Sequence, residues 1–387
     1  MSKKPKVLFT FVEAGMGHII PMRGISNAFK EKYGDKCEII DSYIFTESEH
    51  EQVKKMGKEL SDHTIRASVN WFYNKFEALS YLLSSKTTLR FLDLHFNKKR
   101  KLFYSDLNKI NPDLIVSSYY LPSHLARQAN EKGYTDTLIA TYSPDPYIYP
   151  SWDRKCDLFL VNNENAFNMA INGGFDKEKV KKVPCIYKKE IIETRETKDS
   201  ARHSLGINND KFTVLYTGGA YGTKGTEKLI KALLCSGLNI NLIVVCGKNK
   251  KIYDNMTKLS SIKGNSVDYE VIGFTERLHD YITASDIVIG KAGSNTMMEV
   301  AKLNRPLIVF RESSRLEEKT AEFFVKEETA LRIRSPKKIV KFIDECIKNP
   351  EKLSTYTKNC CKYQDQTGAT QVADLLFELL KTRFKDL

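Results

Sequence analysis

Two series of short, almost wholly apolar runs alternate with helical patterns along this 387-residue chain. A charge-dense, apolar-poor stretch at 188–210 separates them, and glycine-rich loops follow strand-type runs in both series. These observations predict an α/β protein of two doubly wound parallel sheets, because strands covered on both faces read as unbroken apolar runs. The length suits two domains, each able to bury its own core. Hydrophobic residues make up 41% and charged ones 28%, as in ordinary soluble proteins. The formal net charge of +13 points to an anionic partner: nucleic acid, an anionic membrane surface or a phosphorylated substrate.

The first series opens with Lys-Val-Leu-Phe-Thr-Phe-Val at 6–12, read as a strand. A loop from Glu13 to His18 containing Gly15 and Gly17 follows, then a helix through Ile25, Ala28 and Phe29, then a strand at 37–40. The loop after the first strand of such a βαβ unit lies on the ligand edge of the sheet. A Gly-x-Gly turn is common, but His18 beside it is placed for proton transfer; otherwise a lone histidine is a satisfied surface or core residue. Residues 47–109 carry no strand signal. Ile65, Val69, Phe72, Phe76, Leu79 and Leu83 form a helical stripe flanked by Trp71 and Tyr73. Lys86, Arg90, Lys98, Lys99, Arg100 and Lys101 follow, with Asp93 the one acid among them. This pattern suits a helix lying in an anionic membrane surface, or an insertion packed on its own domain. Strands resume at 112–117, 137–141 and 157–161, and Asp145, between two prolines, is a ligand-edge acid or a turn residue.

The second series has strand-type runs at 212–216, 241–246, 268–272, 286–289 and 306–310. The first ends in Thr-Gly-Gly-Ala-Tyr-Gly at 217–222 and opens a helix. The fourth ends in Gly-Lys-Ala-Gly-Ser-Asn-Thr-Met-Met-Glu at 290–299. A strand, a glycine turn and a helix start form an anion site, since free N–H groups and the helix dipole both favour negative charge. Two such starts in one sheet suit a diphosphate bound with its nucleoside across the strand ends. Thr296-x-x-Glu299 also fits a capping box. The tail is helical: a stripe at 339–347, a break at Pro350, and a last amphipathic helix through Val372, Leu375, Leu376, Leu379 and Leu380. With no strand after it, that helix must pack on something already built.

Eight cysteines are scattered without a CxxC pair, which predicts reduced thiols in a cytoplasmic protein and neither disulfides nor a zinc site. No signal-peptide core is evident, and no stretch approaches the ~18 apolar residues of a spanning helix. Any membrane contact is therefore expected to be peripheral.

The loop ending in Gly17-His18, the Gly218-Gly219 loop and Lys291-Ala-Gly-Ser-Asn-Thr-Met-Met-Glu299 together resemble the GT-B glycosyltransferases. The similar branch holds the monogalactosyl- and glucosyl-diacylglycerol synthases and the peptidoglycan enzyme MurG. The resemblance implies two Rossmann-like domains facing across a cleft, with the C-terminal helix returning to the first. The implied division is 1–190 (acceptor and membrane side, insertion at about 47–109), 191–364 (nucleotide-sugar side) and 365–387 (returning helix).

It also implies site roles. Gly17, Gly218, Gly219, Gly293, Ser294, Asn295 and Thr296 would hold a nucleotide diphosphate, Ile272 and Phe274 the uracil, and Glu299 the ribose. Relatives carry a Pro-Gly-Gln-Glu-like stretch for the sugar; here Arg311 to Glu318 lacks the glutamine, leaving Glu317 and its neighbour Glu318. His18 or Glu13 would be the base, His18 being favoured by its near-neutral ordinary pKa, with Glu13 able to orient it. Trp71, Phe72, Lys98, Lys99, Arg100 and Lys101 would face the membrane.

The expected reaction is inverting, metal-independent transfer of a hexose from a UDP-sugar to a membrane lipid, diacylglycerol above all, at the cytoplasmic face. No cofactor is expected beyond the UDP-sugar, which is the donor substrate. MurG-like transfer to a polyprenyl-linked sugar and UDP-sugar 2-epimerisation are the alternatives within the fold. No helix-turn-helix, RNP-like or zinc-finger signature supports specific nucleic-acid binding.

Overall fold

The computed structural model describes residues 4–13, 16–67, 85–95, 97–218, 225–262 and 266–387. They form two compact units, residues 1–188 with 365–387 and residues 189–364. Each unit holds a six-stranded parallel sheet among the described residues.

In the first unit, β1 (Lys6–Thr10), β2 (Glu38–Ser42), β3 (Leu114–Ser117), β4 (Leu138–Ser143), β5 (Leu158–Val161) and β6 (Val180–Lys182) lie in the order β2-β1-β3-β4-β5-β6. The direction of winding reverses between β1 and β3. Alternate residues of the strands feed two cores. Val7, Phe9, Val116 and Leu160 face the helix Met16–Tyr33 and the last helix, Gly368–Lys381. Leu8, Ile115 and Phe159 face the other way, onto Val53, Met56, Phe103 and Leu107 of the helices Glu51–Ala67 and Asn97–Ile110.

Two contacts fix the last helix in place. Tyr33 and Phe377 stack with ring centroids 3.9 Å apart. A Cβ at Gly368 would stand 2.3 Å from the Pro184 carbonyl oxygen, so only glycine permits that approach. Val372, Leu376, Phe377 and Leu380 are all buried here, each worth roughly 1.5–3 kcal/mol.

The ends of the 47–109 insertion are therefore core-forming. Its acid Asp93 turns inward rather than sitting on a basic face. His124, 1% exposed, places Nε2 2.9 Å from Asp93 and Nδ1 2.8 Å from Asp153. The ring is thus clamped between two acids, with Gln128 Nε2 also 2.5 Å from Asp93. Burial raises the Asp153 pKa, but His124 and Arg127 outweigh it and hold the carboxyl at about 2.

In the second unit, β7 (Phe212–Thr217), β8 (Ile240–Val245), β9 (Val267–Ile272), β10 (Ile287–Lys291), β11 (Leu307–Arg311) and β12 (Ala330–Arg332) lie in the order β12-β11-β10-β7-β8-β9. Here the reversal falls between β7 and β10. The stretch read as a charged linker contains the capped helix Lys198–Leu205, whose buried Arg202 reaches Asp286 at 2.6 Å and the Ala284 carbonyl at 2.8 Å. Among the described residues, no helix is long and apolar enough to cross a membrane.

Candidate active site

In open parallel sheets, ligands bind beyond the carboxyl ends of the strands, where the winding reverses. In the first unit that place is occupied by His18, near the start of Met16–Tyr33. Its Nδ1 is 2.7 Å from the Ser118 carbonyl oxygen, and the Ser118 hydroxyl donates back to the His18 carbonyl at 2.7 Å. A carbonyl cannot donate, so Nδ1 carries the proton and Nε2 keeps its lone pair. The Tyr119 ring packs edge-on at 4.9 Å. Burial pulls the imidazole pKa below its ordinary 6.5, while Asp145 and the Ser118 hydrogen bond act in the opposite direction. At neutral pH this is a neutral, oriented base.

Asp145 follows β4, accepts the Tyr149 hydroxyl and lies close enough to His18 for its charge to act there. Glu13, expected as base or orienting partner, is exposed. The ring is held by Ser118 and feels the charge of Asp145, so the orienting role passes from Glu13 to Ser118. Gly17 lies in the first turn beside His18, and a Cβ there would meet nothing within 4 Å. It belongs to the first unit, whereas every other residue expected at the nucleotide is in the second.

In the second unit the reversal between β7 and β10 brings together the two loops marked in the sequence. Gly218 is buried directly after β7, while Gly219 lies outside the described residues. Gly225, with φ +85°, caps the next helix, Thr226–Leu234. Gly290 proves to be part of β10, not of the turn: a Cβ there would stand 2.8 Å from the Thr217 carbonyl oxygen, so it lets β10 and β7 close up. The turn glycine is Gly293, the N-cap of Ser294–Lys302, which has no side-chain cap. This removes the capping box, since Thr296 stands inside the helix rather than at its cap. Ser294, Asn295 and Thr296 form the first turn, and Glu299 is buried, 6% exposed, one turn on.

Two cations stand at the same edge. The Lys291 side chain folds over the Gly293 turn, its Cε 4.0 Å from where a Gly293 Cβ would be. The Arg311 guanidinium, at the end of β11, reaches to 3.9 Å from the corresponding position of Gly225 and makes no ion pair among the described residues. On the far side, Phe274 is 60% exposed after β9 with Lys248 5.0 Å from its ring centroid. The Ile272 carbonyl accepts the Cys246 N–H within the sheet.

The acids expected at the sugar are both engaged. Glu317 contacts Lys291 at 2.6 Å and accepts the Ser313 N–H at 2.7 Å, while Glu318 pairs with Arg315 at 2.6 Å.

The membrane-facing set divides. Trp71, Phe72 and the Lys98 side chain lie outside the described residues. Lys99 and Arg100 pair with Glu59 at 2.6 Å and Asp93 at 3.7 Å, so both help tie the insertion together. Lys101 is exposed, as is Leu94 at 76%. The residues that sequence reasoning missed are Ser118, Arg311 and the Lys291 partner of Glu317. Their shared signal was position: each of Ser118, Lys291 and Arg311 ends or directly follows a strand, Ser118 and Lys291 beside a reversal point and Arg311 one strand away.

Comparison with known proteins agrees with this geometry. Residues 213–375 match the glycosyltransferase family 28 C-terminal domain. The chain is 24% identical to a processive diacylglycerol beta-glucosyltransferase of Staphylococcus aureus, over 97% of this chain and 94% of that protein. It is 23% identical to a probable chloroplastic monogalactosyldiacylglycerol synthase of Glycine max, over 98% of this chain and 72% of that protein. Among solved structures, Acinetobacter baumannii MurG superposes with a TM-score of 0.63 at 12% identity, covering 97% of this chain and all of that one. Residues 213–375, which include most of the second unit, thus resemble a glycosyltransferase family 28 C-terminal domain, the two parallel sheets share the fold of MurG, and the protein is a glycosyltransferase.

Proposed function

We propose that the protein transfers a hexose from a UDP-sugar to the hydroxyl of a membrane lipid, with diacylglycerol as acceptor and with inversion at the anomeric carbon. The second unit binds the donor. The helix start at Gly293, Lys291 and Arg311 meet the diphosphate, Glu299 takes the ribose hydroxyls, and the exposed Phe274 lies against the uracil. The first unit supplies the base: Nε2 of His18 removes the acceptor's proton as its oxygen attacks, and Asp145 steadies the imidazolium that forms. The departing UDP is stabilised by protein cations and helix N–H groups, so no metal is needed.

The observation that carries this reading is the carbonyl-oriented His18, its pKa lowered by burial, in a chain whose residues 213–375 match a glycosyltransferase family 28 C-terminal domain. The lipid acceptor is supported by the printed activities of the two relatives. Exposed Leu94 on the insertion and exposed Met16, two residues from His18, give the first unit apolar contacts suited to a peripheral hold on a membrane. Purified protein given UDP-glucose or UDP-galactose with diacylglycerol vesicles should release UDP and form a glycolipid with one donor. No product with either sugar would overturn the proposal.

A further inference from the structure

The pairing of Lys291 with Glu317 is odd on electrostatic grounds. The N-terminus of Ser294–Lys302 carries about half a positive charge, and a lysine folded over it is repelled. Yet the Lys291 side chain lies against the Gly293 turn, with its ammonium 2.6 Å from Glu317. The two side chains are 24% and 13% exposed, so neither charge is fully hydrated and each depends on the other. Glu317 is held from a second side by the Ser313 N–H, and Ser314 caps the helix that carries it. A carboxylate thus sits where an anion is wanted, next to the turn that would receive a phosphate.

We propose that Lys291 and Glu317 form an exchangeable pair that donor binding breaks. The diphosphate, with more negative charge than one carboxylate, takes Lys291. Glu317, no longer neutralised, then becomes a strong acceptor for the hydroxyls of the donor sugar. Until a diphosphate arrives, Lys291 holds the sugar-side acid in check, so a free sugar finds no competent site. Arg311 does not share this role, because it has no carboxylate partner among the described residues. The proposal rests on the donor reading above and adds a coupling between its two subsites.

The coupling predicts changes of opposite sign. Calorimetry with UDP, which lacks the sugar, should show Glu317→Gln binding about 3- to 10-fold more tightly than the natural protein, because Lys291 no longer has a competitor. Transfer from the UDP-hexose by the same variant should fall at least 10-fold. Lys291→Met should bind UDP about 10- to 100-fold more weakly, and the double variant no more tightly than Lys291→Met. If Glu317 is only a helix-capping acid, Glu317→Gln lowers the melting temperature and leaves UDP affinity unchanged or weaker, which overturns the exchange. Should Glu317→Gln fail to fold, Lys291→Met decides: unchanged UDP affinity refutes the proposal. Failure of the natural protein to bind UDP at all would instead remove the donor reading itself.

Discussion

The two units use the same architecture, a six-stranded parallel sheet with its site at a winding reversal, for opposite electrostatic tasks. At the reversal of the second unit the fold gathers positive charge: Lys291, Arg311 and a helix start capped only by a glycine. At that of the first it gathers a neutral imidazole, a carboxylate and tyrosines whose pKa values burial raises further. In the proposed function, one edge holds an anion and the other moves a proton. The reversal point fixes where a site is; the residues that end the strands fix what it does.

Three variants sharpen this contrast. Among them the largest effect is expected at Glu299, where a charged hydrogen bond to a ribose would be worth about 1.5–3 kcal/mol. Glu299→Gln should weaken UDP binding roughly 10- to 150-fold by calorimetry, and an unchanged affinity would take the ribose away from this residue. Asp145→Asn comes next, with an expected 3- to 10-fold fall in turnover. The sign of its pH effect is specific. With His18 as the proposed base, activity should fall as pH drops through its pKa, which burial lowers from the ordinary 6.5. Asp145 raises that pKa, so removing its charge should move the acid limb to still lower pH. A limb that stays in place would separate Asp145 from His18. The smallest effect belongs to the membrane hold. Leu94→Ser with Lys101→Ser should reduce sedimentation with anionic vesicles several-fold while leaving UDP affinity intact. Equal retention would move the contact elsewhere.

How much of this was legible in the sequence also differs between the units. The donor edge was readable because its residues are contiguous: strand, turn and helix start fall within the ten residues 290–299, and the local spacing carries the chemistry. Even there, the partner of Lys291 lies 26 residues away, so Glu317 looked free. The acceptor edge is assembled from three strand ends. His18 meets Ser118 across 100 residues, and no spacing rule links them, so Glu13, merely the nearest acid in sequence, was assigned the orienting role. The insertion was left with two readings for a related reason, and most of its stripe at 65–83 lies outside the described residues. Amphipathic stripes reveal that a face is buried but not against what, and Val53, Met56, Phe103 and Leu107 bury theirs in the protein. Asp93 and Arg100, read as neighbours on a surface, are instead part of an inward network centred on His124.

The division of labour between the two edges is tested most directly by His18→Gln, measured for donor binding and for transfer in the same preparation. The account predicts UDP affinity within about twofold of the natural protein and transfer to diacylglycerol reduced about 10²- to 10⁴-fold. Loss of UDP affinity in step with transfer, or turnover that survives the substitution, would contradict it.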